Sequence, residues 1–316
     1  MTRFSEDARL VRAQEGGSAE PPFSFTGPGR AATFLPVRPT KLGIIGLGAI
    51  GGSLARQAKL AGVATVLGWS PDGSERVAAT RQGALDDAPH HPQDVARAAE
   101  LLVLAAPPAA NLQLLETLAP HLAPGALVTD VGSVKRAIVA RAEALGLGTR
   151  YAGSHPLAGT HHRGFEGSRA DLFRGAVVYV TPAAGGEGPA REVAHFWKNV
   201  CEAHPVMVDA ARHDAQVATS SHVPQVVASL LACFLAKRLP PGATLGPGAR
   251  DTTRLAASDP VLWTEILLMN RDELLPALRS LEEPLGEIER ALEAGDAGAL
   301  SAWLARAAVW RRGIDA

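Results

Sequence analysis

One segment of this chain is suited to moving a proton: Gly153-Ser154-His155-Pro156-Leu157-Ala158-Gly159-Thr160, an imidazole beside a proline in a small-residue turn. A histidine titrates near neutral pH, so its neutral ring can accept a hydroxyl proton under ordinary conditions. The chain offers few other candidates for a catalytic base. Upstream, Gly46-Leu47-Gly48-Ala49-Ile50-Gly51 has the spacing of a dinucleotide-binding turn. Gly46 permits the tight bend, Gly48 lets backbone approach a pyrophosphate, and Gly51 allows a helix to pack on the preceding strand. Backbone N–H groups of Ala49 and Ile50, at the start of that helix, would face the phosphates. The two segments together point to removal of a proton beside a redox cofactor.

The surrounding pattern supplies elements that could position these groups. Lys41-Leu42-Gly43-Ile44-Ile45 reads as a short apolar strand running into the glycine turn, followed by a helical stretch that Gly62 stops. Residues 64–69, 101–105, 126–130 and 176–181 read as further strands, with amphipathic stretches such as 111–122 between several of them. Alternation of this kind predicts a Rossmann-type, doubly wound parallel sheet, in which ligands lie beyond the carboxyl ends of the strands. Ala105-Ala106-Pro107-Pro108, Asp130-Val131-Gly132-Ser133 and Ser154-His155-Pro156 are each expected to follow a strand and to face one crevice. From about Asp209 the pattern is helical only, over 214–239, 260–281 and 285–311. The expected organisation is a flexible extension over 1–39, a dinucleotide-binding domain over 40–208, and an all-helical substrate and dimerisation domain over 209–316.

Composition narrows the function classes. With 316 residues, 47% hydrophobic and 20% charged, the chain can build a large core and has room for about two domains. A net charge of −1 without a dense Lys/Arg cluster gives no electrostatic case for nucleic acid or an anionic membrane surface. The apolar run over 226–236 is too short to span a bilayer and reads as a core or dimer-interface helix. Cys201 and Cys233 lack CxxC spacing and read as buried structural thiols, which suits a reducing cytoplasm. The first forty residues carry Pro21, Pro22, Pro28, Pro36 and Pro39 without periodicity, and no apolar core of a secretory signal.

Six segments occur in order over residues 41–270: Gly46-x-Gly48-x-x-Gly51, Asp130-Val-Gly-Ser133-Val-Lys135, Ser154-His155-Pro-Leu-Ala-Gly159-Thr160, Thr181-Pro182, Ser221-His222-Val-Pro224 and Arg250-Asp-Thr-Thr-Arg254-Leu-Ala-Ala-Ser-Asp259-Pro260. This set resembles the prephenate/arogenate dehydrogenase family of tyrosine biosynthesis. The resemblance implies oxidation of a cyclohexadienol at its C4 hydroxyl, hydride transfer to a nicotinamide, and loss of the ring carboxylate as CO2 when the ring becomes aromatic. It implies that His155 accepts the hydroxyl proton. Ser133 would bind the same hydroxyl or hold the imidazole and nicotinamide in register; taken alone it would be a helix N-cap. Arg254 offers a planar fork for the substrate's side-chain carboxylate, with a surface ion pair to Asp251 or Asp259 as the alternative. Arg250 would share its helical face. The resemblance makes His222 a substrate-positioning group, against a core or capping histidine, and puts Thr160 and His161 at the substrate. A small-molecule substrate and a homodimer through the helical domain are implied as partners.

Substrate and cofactor preference turn on departures from the family. Many relatives carry an acidic or amide residue after the Ala-Gly-Thr turn, where this chain has His161-His162-Arg163. That stretch offers the ammonium of arogenate no carboxylate, so prephenate is the expected substrate, with Glu166 nearby as the counterweight. Paired histidines also suggest a metal, but no further ligand cluster at suitable spacing supports one. In NAD-binding folds an acidic residue about twenty positions past the glycines meets the ribose 2′-hydroxyl; here that place holds Ser70, with Asp72 opposing a phosphate and Arg76 welcoming one. NAD is the expected cofactor and NADP the alternative. The cofactor set is Gly46, Gly48, Ala49, Ile50, Gly51, Ser70, Pro107 and Ser133.

Overall fold

The computed structural model describes residues 39–160, 162–240 and 242–314. Through the first two-thirds of the chain, strands and helices run β1 (Lys41–Ile45), α1 (Ala49–Leu60), β2 (Thr65–Trp69), α2 (Gly73–Arg81), α3 (Pro92–Ala98), β3 (Leu101–Leu104), α4 (Pro108–Leu118), β4 (Leu127–Asp130), α5 (Arg136–Ala144), β5 (Ala152–Pro156), β6 (Val177–Pro182), α6 (Glu187–Cys201) and β7 (His204–Met207). The rest of the described chain is helical: α7 (Ala210–Val217), α8 (Val223–Arg238), α9 (Pro247–Thr253), α10 (Pro260–Met269), α11 (Arg271–Arg279), α12 (Glu282–Glu293) and α13 (Ala297–Ile314).

Strands β1 to β4 form a parallel sheet in the order β2-β1-β3-β4. Most of their residues are apolar on both faces because helices cover both. Leu42 and Ile44 of β1 pack with α1 and with Phe196 and Trp197 of α6, whereas Ile45, Leu102 and Leu104 pack with α3, α4 and α5. The parallel sheet and the helical second half match the architecture expected from the sequence.

Three local features differ from that expectation. The sheet does not stay parallel: β5 and β6 pair antiparallel, with β7 parallel to β6, and the backbone pairing toward β4 is an isolated bridge between Val128 and Tyr151, the residue before β5. His155 lies inside β5, opposite Tyr179, rather than after a strand. Ser133 does not cap a helix, since α5 begins at Arg136; its N-terminus is capped from outside by Asp214 of α7, whose two carboxylate oxygens accept the backbone N–H groups of Lys135 at 2.8 Å and Arg136 at 2.9 Å. A side chain from another element thus supplies the acceptor that a helix start requires.

The long apolar helix also departs from its sequence reading. Helices α7 and α8 join through one π-helical turn, Ala218–His222, into a 29-residue helix, Ala210–Arg238, that by length and composition alone could cross a membrane. Pro224 lacks an N–H for the α-helical ladder, and Val223 N–H reaches back five residues to the Ala218 carbonyl. Its buried polar residues His213, Asp214, His222 and Gln225 turn toward the rest of the chain, while Val227, Leu230 and Phe234 are exposed. Cys233 on this helix is exposed too, unlike the buried thiol expected; Cys201 is buried.

Candidate active site

Side chains alternate along β5, and the alternation divides structure from chemistry. Ser154 turns into the core, bonding Thr129 Oγ1 at 2.7 Å and accepting the Trp197 indole N–H at 2.9 Å. His155, next along the strand, is half-buried, and its Nδ1 lies 2.9 Å from Nε2 of His213. His213 Nδ1 in turn lies 2.7 Å from Asp214 Oδ1. The order of donors follows from the carboxylate, which only accepts. His213 Nδ1–H donates to Asp214, so its Nε2 accepts from His155 Nδ1–H, and the lone pair of His155 sits on Nε2. That nitrogen has no hydrogen bond to a described residue.

Burial and charge set the protonation states. Burial, the neighbouring His213 and His222 rings and the Lys135 ammonium hold His155 well below the usual imidazole range. Burial also lowers His213, against the pull of Asp214. Burial would raise the Asp214 carboxyl, but the hydrogen bonds from His213, Arg136 and Lys135 outweigh it and keep the group below the usual carboxylate value. His155 is therefore neutral at neutral pH, with a free ring nitrogen and an ionised carboxylate two bonds behind it.

The same carboxylate ties down the serine loop. Ser133 sits half-buried between β4 and α5, two residues before the first N–H that Asp214 holds. At the base of the loop Asp130 binds the Lys135 ammonium, the Tyr151 hydroxyl at 2.6 Å and the Gly132 N–H at 2.7 Å, all of it buried. Ser133 is held by backbone on both sides while its own hydroxyl bonds no described residue.

His222, in the π-helical turn, is reached through Asn270, whose amide donates to the Asp214 carbonyl at 2.8 Å and lies 3.1 Å from His222 Nδ1. Burial pushes His222 down to about 4, Asp214 opposing and His213 adding to the shift. Thr160 Oγ1 accepts the His162 N–H at 3.1 Å, and Arg163 pairs with Asp259, the N-cap of α10, at 3.1 Å. These contacts bring the Ala-Gly-Thr turn beside the segment that carries Arg254. Arg254 is exposed and pairs with neither Asp251 nor Asp259; its turn is secured by Gln225, which donates to the Leu255 carbonyl at 2.8 Å. Arg250 is likewise exposed. His161 lies outside the described residues.

A crevice of about 500 Å³ opens at the carboxyl ends of β1, β2 and β3, lined by Gly46, Gly48, Trp69, Ser70, Glu75 and Pro107 among others. Gly46 has φ +100°, and a Cβ on Gly51 would lie 1.8 Å from the Gly46 carbonyl oxygen, so both positions require glycine. A Cβ on Gly48 would meet nothing within 4 Å, which leaves the loop open toward the crevice. These residues fit a dinucleotide. Ala49, Ile50, Gly51 and Ser133 are not among the residues lining the crevice.

Two family models match this chain over most of its length. Residues 54–207 match "Prephenate dehydrogenase, nucleotide-binding domain" and residues 209–306 match "Prephenate dehydrogenase, dimerization domain". The chain belongs to the prephenate dehydrogenase family. The prephenate dehydrogenase of Bacillus subtilis is 31% identical over 86% of this chain and 75% of the relative. The cyclohexadienyl dehydrogenase of Zymomonas mobilis is 32% identical over 81% and 89%. Among solved structures, prephenate dehydrogenase from A. aeolicus in complex with hydroxyphenyl propionate and NAD+ superposes with a TM-score of 0.81 at 28% identity, covering 87% of this chain and 98% of that one.

Sequence reasoning missed His213, Asp214 and Asn270. An adjacent His-Asp pair at a helix start looks like exposed capping residues, and nothing in its spacing connects it to His155, 58 residues away. The available signal was the pair's place at the junction where the strand pattern gives way to helices.

Proposed function

We propose that this chain oxidises prephenate to 4-hydroxyphenylpyruvate and CO2, with NAD as hydride acceptor, in tyrosine biosynthesis. The observation that carries the mechanism is the Asp214–His213–His155 chain. It leaves one basic nitrogen, Nε2 of a neutral imidazole, to take the proton of the substrate's C4 hydroxyl. Bound nicotinamide supplies the two-electron sink for the C4 hydride. As the C4–O bond becomes a carbonyl, the ring carboxylate leaves as CO2; its bonding electrons complete the aromatic ring and push the carbonyl pair onto the oxygen, and the resulting phenolate takes the proton back from His155 to give the phenol. The proton taken by His155 places a positive charge that His213 and the Asp214 carboxylate stabilise. Ser133 donates to or accepts from the same oxygen, and Arg254 binds the side-chain carboxylate.

Prephenate is favoured over arogenate by the state of the charges after Thr160. Arg163 pairs with Asp259 and offsets the charge of that carboxylate, while Glu166, whose Oε1 accepts the Gln82 amide at 3.1 Å, keeps its charge and stands as the counterweight. Arogenate is the second reading, supported by the cyclohexadienyl dehydrogenase relative. Initial rates with the two substrates test the choice. A kcat/KM for prephenate at least about tenfold above that for arogenate is expected, an energy difference of about 1.4 kcal/mol, and the reverse order would overturn it. His161→Glu should narrow the ratio if that loop discriminates.

A homodimer is proposed through the helical region, here assigned to 209–316, with 40–208 as the nucleotide-binding domain. Leu230, Phe234, Val261, Leu268 and Trp310 are all more than half exposed, more apolar surface than an isolated helical layer usually leaves to water. Two free thiols suit the cytoplasm as the working compartment. The expected extension over 1–39 lies outside the described residues, Pro39 excepted.

A further inference from the structure

In the crevice, the place just after β2 where an acidic residue commonly meets the adenosine ribose holds Ser70, which is 2% exposed. A buried serine there cannot distinguish a ribose hydroxyl from a phosphate by charge. Its hydroxyl, however, is committed: it donates to Glu75 Oε2 at 2.6 Å. Glu75 stands in the first turn of α2 and its side chain returns to line the crevice with Gly46, Gly48 and Trp69. Its other oxygen, Oε1, bonds no described residue and lies near Gly164, where an added Cβ would be 3.5 Å away.

The other charged groups in this corner are engaged elsewhere. Asp72 caps α2, accepting the N–H and the hydroxyl of Ser74, each at 2.7 Å. Arg76, the sequence's candidate for welcoming a phosphate, donates to the Ser70 carbonyl and is not among the residues lining the crevice. Pro71 lines it but has no N–H to offer an anion.

We infer that Glu75 is the residue that selects the cofactor, its carboxylate accepting the 2′-hydroxyl of the adenosine ribose and repelling a 2′-phosphate, with Ser70 holding it in place. The acidic group found directly after β2 in other NAD-binding folds is delivered here from five residues further on. This assignment rests on the NAD reading above but not on the identity of the oxidised substrate.

Calorimetric titration of the full chain with NAD+ and NADP+, without substrate, tests it. Wild type should bind NAD+ more tightly. Glu75→Gln removes the charge and keeps the shape, so NAD+ binding should weaken about tenfold, the scale of a lost hydrogen bond to a charged group, and NADP+ binding should strengthen. Ser70→Ala should shift the preference the same way by less. An unchanged NAD+/NADP+ ratio in Glu75→Gln with wild-type circular dichroism would overturn the assignment, as would a wild type that prefers NADP+. Because turnover is not read, either result leaves the proposed reaction standing; a wild type that binds neither nucleotide would overturn the cofactor reading as well.

Discussion

At the scale of single residues, the basic nitrogen of His155 is chosen by its neighbours. Asp214 can only accept, and that fixes both imidazole tautomers in turn. Replacing His155 by Asn should lower kcat by about a hundredfold or more, the contribution of one general base, while NAD+ affinity measured by titration stays within about twofold of wild type. Asp214→Asn should lower kcat as well, because an amide can donate to His213 and reverse the chain. It should do so with the fold retained by circular dichroism, and a wild-type kcat in that variant would reduce Asp214 to a helix cap. Arg254→Ala should raise KM for prephenate with little change in kcat, since an exposed cation that bonds no side chain among the described residues is free to hold a carboxylate. His155, Ser133 and the glycines could be singled out as candidates in the sequence because each lies in a short local motif. His213 could not, because its role depends on a contact across 58 positions.

Among the elements, the nucleotide-binding half was the more readable. Its strands are short apolar runs whose ends fall at turn residues, and β2, β3, β4 and β6 appear within one residue of the ranges expected at their starts. Gly51→Ala should test the tight join between β1 and α1: a methyl 1.8 Å from the Gly46 carbonyl oxygen has to displace backbone. A loss of about 1–3 kcal/mol in chemical denaturation and a marked loss of NAD+ binding are expected, and a variant with wild-type stability would contradict the packing. Strand β5 was not among the strands read from the sequence, and its antiparallel pairing was not legible either, since a local pattern shows which face a residue takes and not which neighbour its strand pairs with. The breaks in the helical half were missed for another reason. Residues 260–281 keep helical spacing across Asn270, yet the chain ends α10 there so that the buried Asn270 amide can reach Asp214. That is a tertiary requirement with no local signature.

For the molecule as a whole, three imidazoles packed together around the site, two of them fully buried, couple stability to acid. His155, His213 and His222 all bind a proton more weakly in the fold than in the unfolded chain, where a histidine titrates near 6.5. Between those values the unfolded chain carries more protons, so stability falls as pH falls. The melting temperature should decline from about pH 6.5 downward, with the His222 contribution spent by about pH 4. A melting temperature constant from pH 7 to 5 would contradict the desolvated surroundings of these rings. The most direct test of the central claim is the stoichiometry of one reaction: purified chain, prephenate and NAD+, followed for reduced cofactor, CO2 and 4-hydroxyphenylpyruvate together. Equal amounts of all three, and their common disappearance in His155→Asn with NAD+ still bound, are the predicted result. NAD+ binding without any turnover of prephenate by the wild type, or undiminished turnover by His155→Asn, would contradict it.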